Sequence, residues 1–369
     1  MLSSADDYLL HQTHEPIRYA GTSDRRFYDR YFFTGHACSD QLFFMVGLGC
    51  YPNLGVIDAF ASISYENKQL TVRGSRELGA DRTNTNDVGP ISVVVREGLK
   101  RLVVRCEHGS HPVEFELEWT AAIEAIEEPP IFNRTLGRVI EQGTRLIQTG
   151  YWTGFIQVSG RRFELSPAAS WGARDRSWGV RSMGLEREPR GLQQARGAAF
   201  NRPPLWIWSP MQFPSGTIHF NISEHASGLR DAETVLSVPS LNREASLEVL
   251  GWPDHNLRLD PRTRELLDGS VVSFRNSRGD THTVTLTPLR RSYLRAGTGY
   301  GGPDKWRHGM YMGERWADWV EYDLNDSATT AVIGPAHVLC RMQKSDGEVG
   351  YGTFETQVFG AYPKYGFAS

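Results

Sequence analysis

Residues 113–119 read Val-Glu-Phe-Glu-Leu-Glu-Trp, an unbroken alternation of apolar and acidic side chains. A period of two fits a strand with one buried and one wet face. On a helix the same residues would be scattered around the axis. Comparable signals recur at short intervals along the chain. In the first half they fall at residues 27–33, 42–49, 56–65, 69–73, 91–96, 101–106, 151–158 and 161–165. In the second half they fall at 205–213, 217–223, 245–250, 271–275, 283–289, 309–316, 319–324 and 350–359. Turn-forming residues separate them, as in Tyr51-Pro52-Asn53-Leu54-Gly55. Many short strands joined by tight turns predict a mainly-β chain of barrels or sandwiches enclosing an apolar pocket.

One segment is expected to differ. Between 131 and 148, Leu136, Val139, Ile140, Leu146 and Ile147 recur with Arg134, Arg138, Glu141 and Arg145 between them. Following Pro129-Pro130, this spacing predicts one prominent amphipathic helix. A chain of 369 residues exceeds the usual domain size of about 100–200 residues. The stretch 183–197 carries Pro189, glycines and many charges, as a linker would. Two β domains are therefore predicted, 1–190 and 191–369.

Composition narrows the function by exclusion. A formal net charge of −3 gives no electrostatic case for a nucleic-acid partner or an anionic membrane surface. The most apolar stretch, 42–64, is interrupted by Pro52, Asn53 and Asp58, so no membrane span is expected. The N-terminus, Met-Leu-Ser-Ser-Ala-Asp-Asp, is acidic and unlike a secretory signal. Cys38, Cys50, Cys106 and Cys340 are too far apart for a zinc ribbon or redox pair. A cytoplasmic protein with reduced thiols is the expectation. The glycine run 297–302 lacks a following Lys-Ser/Thr and reads as a turn rather than a phosphate loop. Neither a nucleophile elbow nor a clustered set of metal ligands is present, so no cofactor and no metal are expected. The oligomeric state is left open, a homodimer included.

Two constellations carry chemistry. The first is Ser170-Trp171-Gly172-Ala173-Arg174-Asp175-Arg176-Ser177-Trp178-Gly179-Val180-Arg181. In an extended chain Arg174, Arg176 and Trp178 share one face, and Asp175, Ser177 and Arg181 share the other. Buried charges need partners, so this string predicts either an ion-pair network lining a cavity or a structural lattice clamping two domains. The second is Lys305-Trp306-Arg307-His308-Gly309. An imidazole titrates near neutral pH, which makes His308 a general acid/base candidate. The alternative is a histidine hydrogen-bonded to backbone in a barrel wall. Tyr51 and Asn53, at the end of a buried strand, could meet a ligand at a barrel mouth or form an ordinary turn.

The string from Arg174 to Arg181 resembles the Asp-x-Ser/Ala-Trp-Gly signature of the carotenoid 1,2-hydratase and AttH-like group. Phe163-Glu164-Leu165 and Tyr151-Trp152-Thr153-Gly154 fit the same context. An uncharacterised bacterial branch of that group resembles this chain further, at Tyr51 to Gly55, Trp306 to Gly309 and Gly350-Tyr351-Gly352. The group also includes hydroxyneurosporene synthase and, more distantly, fungal decalin-forming Diels–Alderases. The resemblance implies two lipocalin-like β domains. Only the string from Asp175 to Gly179 is specific, so the carotenoid substrate is not carried over.

Together these features predict a cofactor-independent lyase, hydratase or isomerase that uses acid–base catalysis on a hydrophobic or aromatic small molecule. His308 would be the acid/base. Asp175, between two arginines in sequence, would be ionised and serve as its partner or as a second proton carrier. Arg174 and Arg181 would stabilise charge. Tyr51, Asn53, Tyr151, Trp178 and Trp306 would contact substrate, with Trp178 and Trp306 as walls of one shared cavity. The alternatives are a non-catalytic lipid- or terpenoid-binding protein and a pericyclase-like scaffold.

Overall fold

The computed structural model describes residues 1–135, 137–181 and 203–368. Strands make up 56% of the chain and helix 4%, arranged as a half-barrel sheet and a nearly closed barrel sheet. The mainly-β expectation therefore holds. The boundary expected near residue 190 lies outside the described residues. No helix among them is long and apolar enough to cross a membrane.

The larger sheet has 13 strands. Its main path runs Arg315–Asp323, Lys68–Glu77, Val56–Tyr65, Leu42–Tyr51, Phe27–His36, Trp171–Val180, Arg138–Val158, Val113–Ala121, Arg101–Cys106 and Ile91–Glu97. The smaller sheet has nine strands and lies wholly between 205 and 358. All described pairings are antiparallel, for example Phe33↔Val46 and Ile207↔Ile222. One strand of the chain's second half, Arg315–Asp323, completes the larger sheet by pairing with Lys68–Glu77. Residues 309–316 and 319–324, expected as two strands, are instead a loop followed by that one strand.

The segment 131–148 is not a helix. It forms the strand Ile131–Thr135, a turn at Gly137, and the start of the long strand Arg138–Val158. Residues from Gln142 onward are hydrogen-bonded to Trp171–Val180 on one edge, while Ile131–Thr135 and then Ile126–Glu127 pair along the other. Apolar residues at 139–140 and 146–147 suit either period, and the neighbouring strands decide between them. The α-helix present is short, Ser327–Ile333, with Asp326 accepting a hydrogen bond from the Ala328 amide at its start.

Each sheet closes over its own apolar core. Phe33, Val46, Leu48, Ile57, Val72, Trp119 and Trp152 belong to the first; Ile207, Phe220, Val272, Leu286 and Phe354 belong to the second. The strands Leu42–Tyr51 and Val56–Tyr65 are buried at every position, so their second face is covered as well. Its cover is residues 294–314, which join the smaller sheet to Arg315–Asp323. Polar side chains on that face hold the strap and the end of the strand that leads into it. Gln69 donates to the Tyr293 carbonyl at 2.9 Å and accepts from the Tyr293 amide at 2.7 Å. Thr71 donates to the Ala296 carbonyl at 2.6 Å, and Ser64 donates to Ser292 at 3.0 Å.

Candidate active site

Register places the site. Opposed residues on neighbouring strands share a face, so one row crosses the larger sheet as Arg145, Ser177, Arg30, Gly49, Asp58, Ser75 and Trp316. The next row is Ile147, Asp175, Phe32, Gly47, Phe60, Arg73 and Asp318. Gly47 and Gly49 form a floor between them. A Cβ on Gly47 would lie 2.9 Å from Arg30 Nη2, and one on Gly49 2.5 Å from the Tyr51 hydroxyl. The absent side chains make room for a guanidinium and a phenol to lie across the strands.

The strap sets His308 over this floor. Its Nδ1 lies 3.4 Å from Asp58 Oδ1, while Asp58 Oδ2 accepts the Gly309 amide at 2.7 Å. The carboxylate thus fixes the hydrogen on Nδ1 and leaves the Nε2 lone pair bare. Tyr300, Trp306 and Phe60 box the imidazole, with ring centroids 4.9, 5.3 and 6.0 Å away. Burial, reinforced by the Arg30 charge and opposed by Asp58, pushes the His308 pKa down to about 4. It is neutral at physiological pH.

Four buried side chains here carry polar atoms that meet no hydrogen-bond partner among the described residues: all three Arg30 nitrogens, the Tyr51 hydroxyl, His308 Nε2 and Trp306 Nε1. Each of the four residues is 2% exposed. Buried polar groups are normally satisfied, so this cluster calls for partners that the described residues do not supply. Arg30 stacks on the Tyr300 ring at 4.9 Å.

Asp175 and Arg181 face this region. Asp175 keeps some accessible surface although protein surrounds its carboxyl group. Burial raises its pKa to about 6, and Arg145, Arg181 and Arg30 only partly oppose that. The carboxylate is therefore less readily ionised than its two sequence neighbours alone would make it. The flanking Arg174 and Arg176 point to the opposite face, and the arginines that do act on Asp175 are Arg145 and Arg30 on the two neighbouring strands and Arg181 just past the end of its own. Arg30 and Arg181 act on both Asp175 and His308. Beyond Arg145 lies Glu128, which takes an ion pair from Arg145 and a hydrogen bond from Trp208 at 2.8 Å, with His219 Nε2 2.9 Å away. Burial alone would raise Glu128, but Arg145 and these neighbours hold it at about 2.

Other expected residues lie elsewhere. Arg174 donates twice to Gln148 Oε1, at 3.0 and 2.8 Å, on the other face of the sheet. Trp178 shares that face and is 38% exposed, so it is not a wall of the His308 box. Phe60 and Tyr300 join Trp306 in that position. Asn53 donates to the Thr22 and Asp24 carbonyls at 2.7 and 2.9 Å, tying down the N-terminal segment. Tyr151 packs against Trp171, which meets Tyr351. Leu54 packs beside Tyr51 and Gly309 and also borders an open cleft of about 360 Å³ lined by Arg18, Gly55, Glu77 and Tyr311.

Arg30, Asp58 and Tyr300 are the residues the sequence reading missed. The signal is a charge inside an apolar or aromatic run: Asp58 alone in the strand 56–65, and Arg30, next to Asp29, among the aromatics of 27–33. Tyr300 sits within the glycine run read only as a turn.

A model described as a family of unknown function (DUF8625) matches residues 2–368. No curated protein matches the sequence. Among solved structures, the fold is similar to that of a candidate AttH from Nitrosomonas europaea, with TM-score 0.50 and 12% identity over 91% of this chain and 94% of that one. It is similar to CghA, solved with Sch210972, with TM-score 0.50 and 10% identity over 91% and 89%. Kievitone hydratase from Nectria haematococca aligns more loosely, with TM-score 0.45 and 13% identity over 92% and 93%. The first two likenesses show a shared fold, one of them with an AttH-like protein of the kind the string at 175–179 resembles.

Proposed function

We propose that this chain, which belongs to the family of unknown function DUF8625, is a cofactor-independent proton-transfer enzyme: a hydratase, lyase or isomerase of a hydrophobic or aromatic small molecule. One observation carries the reading. A buried, neutral His308, oriented by Asp58, presents an unpartnered Nε2 lone pair inside an aromatic box. That is the form a general base takes before it removes a proton from carbon or water. Arg30 and the Tyr51 hydroxyl would hold the substrate oxygens onto which the developing negative charge spreads. Asp175, raised to about 6, would return the proton. Two titratable groups pushed apart in this way divide the base and acid roles between them. We place a domain boundary near residue 190, which sets this site between the first domain's sheet and a strap from the second. That CghA, of similar fold, was solved with a small molecule is in keeping with a small-molecule ligand here.

The test uses the intact chain in deuterated water with benzylacetone and benzylideneacetone, whose acidic carbon positions report proton removal by mass. Wild type should incorporate deuterium faster than buffer. His308→Ala should slow that by about 10²-fold or more, at an unchanged melting temperature. Binding without exchange would make the chain a carrier instead.

A further inference from the structure

We infer that the substrate carries a carboxylate or another full oxyanion, and that Arg30 is its docking group. This rests on the reading above of where the substrate lies, and adds the charge it bears.

The argument starts from a guanidinium in the wrong place. Arg30 is 2% exposed, and none of its three side-chain nitrogens has a hydrogen-bond acceptor among the described residues. A guanidinium does not shed its proton in a protein, and five N–H donors without acceptors are costly to bury. The carboxylates that act on it are otherwise engaged. Asp58 is committed to the Gly309 amide and to His308. Asp175 stands opposite Phe32 in the next row and is shared with Arg145 and Arg181. Tyr300 and Phe60 offer Arg30 only ring faces, at 4.9 and 6.0 Å.

The fixed fork of a guanidinium matches two oxygens of one carboxylate. The Tyr51 hydroxyl, also unpartnered, reaches over the same glycine floor and supplies a third donor. Beside these polar groups and Arg181, Phe32, Met45, Phe60, Leu294 and Trp306 form one apolar cluster. The ligand these residues fit is an apolar body ending in an anion. The charge also serves the chemistry. An anion on Arg30 would offset the positive charge that helps depress His308, making Nε2 a better base once substrate is seated.

The experiment measures melting temperature with cinnamate and decanoate, each against its own neutral amide. The carboxylates should raise the wild-type value and the amides should not. Arg30→Met, similar in length and uncharged, should weaken carboxylate binding by about a hundredfold or more. Without ligand it should melt no lower than wild type, since it removes a buried guanidinium that has no hydrogen-bond acceptor among the described residues. Equal shifts by acid and amide, no shift by either, or an intact carboxylate response in Arg30→Met each overturn the inference. If Arg30→Met does not fold, the wild-type acid-against-amide comparison decides alone. His308→Gln separates the two readings. A carboxylate response retained there, with deuterium exchange absent even in wild type, keeps the anion site and removes the enzyme. Exchange on neutral ketones with no carboxylate response does the reverse.

Discussion

Two buried arginines lie one row apart on the same face of the same sheet, and they are handled in opposite ways. Arg73 meets Asp318 at 2.7 Å and Asp304 at 3.1 Å, and lies over the rings of Trp306 and Trp316 at 6.0 and 5.7 Å. Arg30 also lies over aromatic rings, but meets no acceptor. Burial and the aromatic shell are common to both, so neither explains the difference. What differs is the arrival of carboxylates: the strap and its following strand deliver two to Arg73, whereas the residues they bring to the other end are His308, Trp306 and Tyr300. The Arg73 end is a fastener, with its electrostatics closed within the chain. The Arg30 end is left open.

The largest effect that sharpens this contrast should come from Arg73→Met. Removing one partner of a buried ion pair leaves the other without compensation, so unfolding in denaturant should show a loss of about 3 kcal/mol. The strap should loosen with it. A near-neutral Arg73→Met would erase the distinction between the two ends.

Asp175→Asn probes the open end through pH. In the wild type the folded-state pKa, about 6, lies above the ordinary 3.8. The folded chain therefore holds this proton more tightly than the unfolded one. The associated stability is complete below about pH 4 and is lost as pH rises through about 6. Asparagine has no proton to lose, so the variant should gain on the wild type across that window, by on the order of 2 kcal/mol. Melting temperatures measured from pH 4 to 8 decide it. A variant less stable at every pH would mean instead that the carboxylate is ionised and neutralises Arg181.

The smallest effect should come from Gly299→Ala. Gly299 has φ +87°, and a Cβ there would lie 2.8 Å from both His308 Cε1 and Trp306 Cζ3. The methyl group should displace the imidazole without touching its chemistry, lowering deuterium exchange about tenfold while Asp58 and Arg30 remain in place. Unchanged exchange would show that His308 does not have to sit where the strap puts it.

The sequence by itself determined the class of fold. Strands 56–65, 101–106, 161–165 and 205–213 end where the alternation and turn residues say they should, because side-chain period is a local property of the backbone. The same locality made the two faces of 174–181 legible, with Asp175 and Ser177 on one side and Arg174 and Trp178 on the other. His308 stood out for its titration range and its aromatic neighbours. Tertiary structure alone decided the rest. The segment 131–148 satisfies a helical period in isolation, and it is a strand because its neighbours offer hydrogen bonds along both edges. Asp175 has two arginines beside it in sequence, yet alternation turns both away, and burial sets its pKa. Asp58 sits as a lone charge in an apolar run, and Arg30 follows Asp29 in an aromatic one. Only when a strap from some 250 residues later covers that face does one become the orienter of His308, and the other a cation without a partner. Periodicity is written residue by residue, whereas electrostatic environment is a sum over neighbours that only the folded chain assembles.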